Sequence, residues 1–192
     1  MRLFPVALAG LSIACLPLAL HAQTDEITPR IEAALAAQAA GDLKTTAAEL
    51  AQASAAVNAE RNRRLEALLP PAPEGMTQAV NADYAAGLAI MGGGAGAEGQ
   101  YSAEDGSYAT VTYNIDTPMM TSMMLALAAP EMAALMGPKL ELNGLTFLDQ
   151  GNSLTAIVDG RLLVTISGGD PATVRKVAEA VEGAALARFD AP

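Results

Sequence analysis

Asn143-Gly144, Asp105-Gly106, Asp159-Gly160 and Asp170-Pro171 punctuate the stretch from Tyr101 to Phe189. An Asn-Gly or Asp-Gly pair between apolar runs predicts a tight β-hairpin, because both residues tolerate the positive φ that such turns need. Tyr101–Ala103 and Ser107–Ile115 flank Asp105-Gly106, which predicts a two-residue hairpin. Lys139–Leu142 and Leu145–Leu148 flank Asn143-Gly144, the strongest such signal in the chain. Gln150-Gly151-Asn152 turns into Ser153–Val158, and Asp159-Gly160 turns again into Arg161–Ser167. In that last hairpin Ile157 is expected to face Leu162, with Leu154 and Leu163 on the opposite side. Apolar residues on both faces predict a central place in the sheet. Asp170 as N-cap and Pro171 as first residue open a closing helix over 171–188, with Val174, Val177, Val181, Ala185 and Leu186 on its apolar side. The expected class is α+β: an antiparallel sheet of hairpins flanked by helices at 118–136 and 171–188, preceded by an N-terminal helical hairpin.

The chain starts Met1-Arg2, followed by an apolar run from Leu3 to Leu20 and a small residue at Ala22. That pattern predicts a secretory signal peptide over 1–22. Pro5, Gly10 and Pro17 within the run argue against a retained membrane anchor. Ser12-Ile13-Ala14-Cys15 loosely matches a lipoprotein cleavage box, but the residues after Cys15 stay apolar. The remaining divisions are a helical hairpin over 23–69, a linker and Gly-rich loop over 70–100, and the α+β domain over 101–192. The expected address is the periplasm.

Loss of residues 1–22 would remove the one cysteine, Cys15, and the one histidine, His21. The remainder would then lack an imidazole base, a thiolate nucleophile, a disulfide and a His/Cys zinc site. The chain carries a formal charge of −10, and the loss of Arg2 makes the remainder more acidic still. Such a balance argues against nucleic acid or anionic lipid as the main partner.

Thr28-Pro29 is expected to cap and open the first helix, Gly41 to break it, and Asp42 to cap a second helix from Leu43 to about Leu69. Leu43, Leu50 and Val57, with Ala47, Ala51 and Ser54 beside them, form a narrow stripe suited to close helix contact. Arg61, Arg63 and Arg64 come next. They suit a docking patch for an acidic or phosphate-bearing partner, or simply cations toward a helix C-terminus on a solvated face. Pro70-Pro71-Ala72-Pro73 ends the helix as a stiff linker. From Met76 to Met91 the pattern fits helix or strand.

Gly94, Gly96 and Gly99 spell G-x-G-x-x-G, but the next residues, Gln100-Tyr101-Ser102-Ala103, read as strand rather than helix. The dinucleotide fingerprint needs the helix. No cofactor is expected.

Pro118 to Gly137 holds six of the nine methionines, with Met119/Met123 and Met120/Met124 one helical turn apart. Three uses suit such a helix. Flexible thioethers fill gaps in a core; they make an adaptable surface for a partner protein or small apolar ligand, centred on Met123 and Met124; or Met119, Met120, Met123 and Met124 bind Cu(I). Catalysis would have to rest on carboxylates or a Ser/Lys pair, and none falls in a recognisable spacing.

Leu69-Pro70, Pro73-Glu74-Gly75-Met76, the Gly-rich loop, Tyr101, Asp116-Thr117-Pro118-Met119 and the strand from Arg161 to Ser167 together carry a resemblance. The chain resembles an uncharacterised family of exported proteobacterial proteins with an "LP…GW" linker and a "DSPM" step before a Met-rich helix. Met76 stands where that family has tryptophan, and Thr117 where it has serine. The resemblance implies a periplasmic address and transfers no catalytic residue. The expected function is non-catalytic binding of an envelope protein or small apolar ligand, with Arg61, Arg63, Arg64, Met123 and Met124 as contact candidates. Its rivals are a Cu(I)-binding protein and a carboxylate-dependent hydrolase.

Overall fold

The computed structural model describes residues 26–118, 120–122 and 137–190. They divide into two compact units, one reaching to Ala53 and the other beginning at Ser54. The first unit holds α1 (Ile27–Ala39) and the start of α2 (Leu43–Glu66). Helix α1 starts earlier than Thr28-Pro29 suggests, with Glu26 at the N-cap. Pro29 is still accommodated, because the first turn of a helix has no internal use for its N–H groups. Gly41, at φ 77°, reverses the chain, and the Asp42 carboxylate accepts the Thr45 N–H at 3.0 Å, capping α2 as expected.

The helix seam differs from the stripe read in the sequence. On α1 the covered positions are Ile27, Arg30, Ala34 and Ala37, and on the first part of α2 they are Thr46, Glu49 and Ala53. Ala34 and Ala53 are buried, and Arg30 Nη1 reaches Glu49 Oε2 at 3.2 Å. Small side chains let the backbones approach. Leu43, Leu50 and Val57 are exposed instead.

The second unit is built on one seven-stranded antiparallel sheet with β1 (Met76–Val80), β2 (Ala95–Ala103), β3 (Tyr108–Ile115), β4 (Lys139–Leu142), β5 (Leu145–Asp149), β6 (Ser153–Val158) and β7 (Leu162–Gly168). The spatial order is β1-β2-β3-β7-β6-β5-β4. Two meanders, β1–β3 and β4–β7, are therefore joined along β3 and β7, where Val111 pairs with Ile166 and Tyr113 with Val164. The class is α+β, with helices before and after the sheet in sequence. Among the described residues no helix is long and apolar enough to cross a membrane.

One sheet face carries Tyr101, Val111, Tyr113, Phe147, Leu154, Val164 and Ile166, all essentially inaccessible. They share a core with Leu65 in the last turn of α2 and Leu69 just after it, and with Val174, Val177, Val181 and Leu186 near the C-terminus. The Tyr101 hydroxyl donates to the Pro70 carbonyl at 2.7 Å and the Tyr113 hydroxyl to the Leu68 carbonyl at 3.3 Å. The proline linker is thereby fastened over the core. On the opposite face, α3 (Tyr84–Ile90) covers part of β2, and the Tyr84 hydroxyl bonds buried Asn114 at 2.9 Å.

Residues 76–91 combine both alternatives, a strand and then a helix. Asn81 separates them: its side-chain oxygen accepts the Asp83 N–H, while its own N–H bonds Glu98. The linker and Gly-rich loop expected over 70–100 thus contain β1, α3 and the first part of β2. Gly96 and Gly99 of the G-x-G-x-x-G lie within β2.

Turn lengths decide which residues share a face. Asn143-Gly144 is the two-residue turn expected, with φ of 48° and 79° and Leu142 paired to Leu145. Asp105-Gly106 is not, because Glu104 joins it and the Ala103 N–H bonds the Ser107 carbonyl. Asp159-Gly160 likewise takes in Arg161, since Val158 pairs with Leu162. The extra residue moves the register by one, so Ile157 faces Leu163, and Leu154 lies on the face of Leu162.

The closing helix expected over 171–188 is two helices, α4 (Pro171–Ala178) and α5 (Gly183–Ala187). Asp170 caps α4 through the Thr173 N–H, and Pro171 is its first residue. Thr117 Oγ1 accepts the Met120 N–H at 3.3 Å, which opens the helical turn that begins at Pro118.

Candidate functional site

A concavity in the second unit lies between two turns and the start of α4. Pro73-Glu74-Gly75-Met76 makes one, closed by the Met76 N–H on the Pro73 carbonyl with Gly75 at φ 76°. A positive φ at the third residue of such a turn is what glycine supplies. The second is the β2–β3 turn, where Asp105 Oδ1 accepts both the N–H and the hydroxyl of Ser107 at 2.9 and 2.7 Å. Those bonds hold the Asp105 carboxyl below its ordinary value. The start of α4 forms the third side. Lys176 Nζ crosses from α4 to the Glu74 carbonyl at 2.7 Å.

The resulting cleft is about 950 Å³. Its polar lining combines the carboxylates of Glu74, Glu104 and Asp105 with the hydroxyls of Thr77, Ser102, Ser107 and Thr173. Among the described residues Lys176 is its single cation. The Ser107 hydroxyl is committed to Asp105 and Lys176 to a carbonyl, so the described bonds do not assemble a Ser/Lys nucleophile pair. The chemistry on offer is hydrogen bonding to a polar ligand and attraction of positive charge.

The sequence singled out none of this cleft as a site. Glu74 and Lys176 are 102 positions apart, and the strand order that joins them leaves no local mark.

The sequence-derived candidates sit elsewhere. Arg61 Nη1 bonds Asp116 Oδ2 at 3.0 Å, its Nη2 reaches Asp190 at 2.6 Å, and Arg161 also bonds Asp116, at 2.8 Å. Burial pushes the Asp116 carboxyl up, but the bonds and charges of Arg161 and Arg61 together hold it below its ordinary value. Arg63 and Arg64 both hold Glu60, at 2.7 Å each. Their hydrogen bonds keep that carboxyl at about 2. All three arginines are therefore paired within the chain, Arg61 half-buried and Arg63 and Arg64 exposed. An acidic partner would have to compete with Glu60.

Met120 is buried, at 6 % exposure. Met119, Met123 and Met124 lie outside the described residues. Among the described residues no group of three His, Cys, Asp or Glu side chains is placed to hold a metal ion.

No family model, curated protein or solved structure matches this chain.

Proposed function

We propose that this chain is a non-catalytic binding module of the bacterial cell envelope, exported to the periplasm through residues 1–22. The observation that carries the reading is the apolar surface of the helical hairpin. Ile31, Leu35, Leu43, Leu50 and Val57 are all exposed, Leu43 at 73 % and Leu35 at 62 %. Leu43, Leu50 and Val57 recur every seven residues, the spacing with which one helix presents a stripe to another. Scattered exposed leucines are ordinary, whereas a repeated series marks a contact surface. The "LP…" linker and the Asp116-Thr117-Pro118-Met119 step support membership of the exported family. Copper handling draws no support from Met120, whose thioether is buried.

The test is site-specific photocrosslinking in intact cells, with the probe placed at Leu35, Leu50 or the exposed turn residue Asp159. A discrete adduct from Leu35 and Leu50, absent from Asp159, is expected in the periplasmic fraction. Adducts from none of them, or the same smear from all three, would remove the reading.

A further inference from the structure

The two edges of the sheet are built differently. The outer strand β4 is four residues long and alternates Lys139, Leu140, Glu141 and Leu142. Charged side chains at an edge discourage pairing with another chain. The other outer strand, β1, reads Met76-Thr77-Gln78-Ala79-Val80. It has no charge, no proline and, over its five paired residues, no bulge. Thr77 through Val80 are all exposed.

The direction of its backbone groups is set by the ladder. The Asn81 N–H bonds the Glu98 carbonyl, so in this antiparallel pairing Asn81, Ala79 and Thr77 bond inward to β2. Gln78 and Val80 then point their N–H and C=O groups away from the sheet, and among the described residues no other backbone group takes them up. The cleft of Glu74, Glu104 and Asp105 opens at the Met76 end of the same strand.

We propose that the β1 edge receives an extended basic peptide segment of another protein as an eighth strand, with its cationic end in that cleft. The proposal rests on the reading of the chain as a binding module and names the chemistry of its partner. Main-chain bonds to Gln78 and Val80 supply the pairing, and the carboxylates select the charge. An antiparallel addition sets the C-terminal end of the peptide in the cleft. A second copy of this chain fits less well. Pairing β1 with its own copy about Gln78 sets Glu74 opposite the neighbour's Ala82, next to Asp83, so like charges meet.

The experiment titrates the full chain with three synthetic probes: a seven-residue peptide of alternating Thr and Val ending in Lys-Arg, the same peptide ending in Glu-Glu, and one interrupted by proline. Amide exchange is read at Gln78 and Val80. The Lys-Arg peptide is expected to bind about tenfold tighter than the Glu-Glu peptide and to protect those two amides, while the proline peptide does not bind. Gln78→Pro and Val80→Pro each remove an outward N–H and leave the backbone bonds to β2 in place, Gln78→Pro also losing the side-chain bond to the Tyr101 hydroxyl, and are expected to weaken binding about tenfold or more. Gln78→Ala keeps the N–H and is expected to bind like the parent, which separates the edge from the Gln78 side chain. Equal affinity for both charged peptides, protection elsewhere, or unchanged binding by the proline variants overturns the proposal. If the Leu50 crosslink persists when the peptides fail, only this proposal falls; if both fail, the binding-module reading falls with it.

Discussion

Asn143 Nδ2 donates to the Glu179 carbonyl at 2.6 Å and to the Val181 carbonyl at 3.2 Å. The residue that turns β4 into β5 therefore also receives the end of α4. Gly183 comes next, at a point where a Cβ would strike the Asn143 carbonyl and the Leu145 side chain. Both contacts lie at the break between α4 and α5.

Asn143→Gly isolates the second role, because glycine keeps the positive φ of the turn and loses only the side-chain amide. A loss of about 1 kcal/mol is expected, measured by urea unfolding.

The Tyr101 hydroxyl, donor to Pro70 and acceptor from Gln78 Nε2, is raised to about 12, by burial against the opposing effect of the Gln78 bond. A folded value above the ordinary 10 means that the folded state holds the proton more tightly. Its contribution is complete below pH 10 and is lost as pH rises through about 12. Tyr101→Phe is expected to cost about 1–2 kcal/mol at neutral pH, since the Pro70 carbonyl loses its donor. It should also flatten the alkaline unfolding curve between pH 10 and 12, and an unchanged curve would assign that transition to other groups.

Gly96 lies where a Cβ would come within 2.5 Å of the Tyr113 carbonyl and 2.6 Å of Leu88 Cδ1. Gly96→Ala is expected to cost about 1–3 kcal/mol by displacing α3 from β2. Loss of the bond from the Tyr84 hydroxyl to Asn114 Oδ1, seen as faster exchange of the Tyr84 hydroxyl proton, would mark the cause.

The helical hairpin gives a paired prediction. Leu50→Gln changes an exposed position and is expected to alter stability by no more than about 0.5 kcal/mol. Ala34→Leu overfills the buried seam and is expected to cost about 1–3 kcal/mol. The reverse result would make the Leu43, Leu50 and Val57 stripe the internal seam of the hairpin.

Local chemistry carried the parts of the fold that are local. Asn143-Gly144 and Asp170-Pro171 behave as their types require, because a positive φ and an N-cap are decided within about four residues. Asp105-Gly106 and Asp159-Gly160 mark real turns, but the composition of the pair does not say whether a third residue joins. That one residue sends Leu154 and Ile157 to opposite faces from those expected. The hairpin seam carries Ala34 and Ala53, whose small side chains allow the close approach, while the Leu43, Leu50 and Val57 stripe faces outward, and the spacing alone does not say which helix a stripe meets. The cleft was illegible in the sequence: Glu74, Asp105 and Lys176 come together only through the strand order. The open edge was half legible, since Met76–Val80 shows no charge or proline, yet nothing local says that it lies outermost.

The junction of β3 with β7 bears on how fast the chain reaches its native form. Within each meander, strands meet partners that lie close by in sequence, so each half can zip from its own turns. Joining Ile115 to Leu162 instead closes a loop of more than forty residues, an entropic cost incurred before the shared core repays it. Assembly should therefore pass through two partly formed half-sheets, with the meeting of Val111 and Ile166 setting the rate.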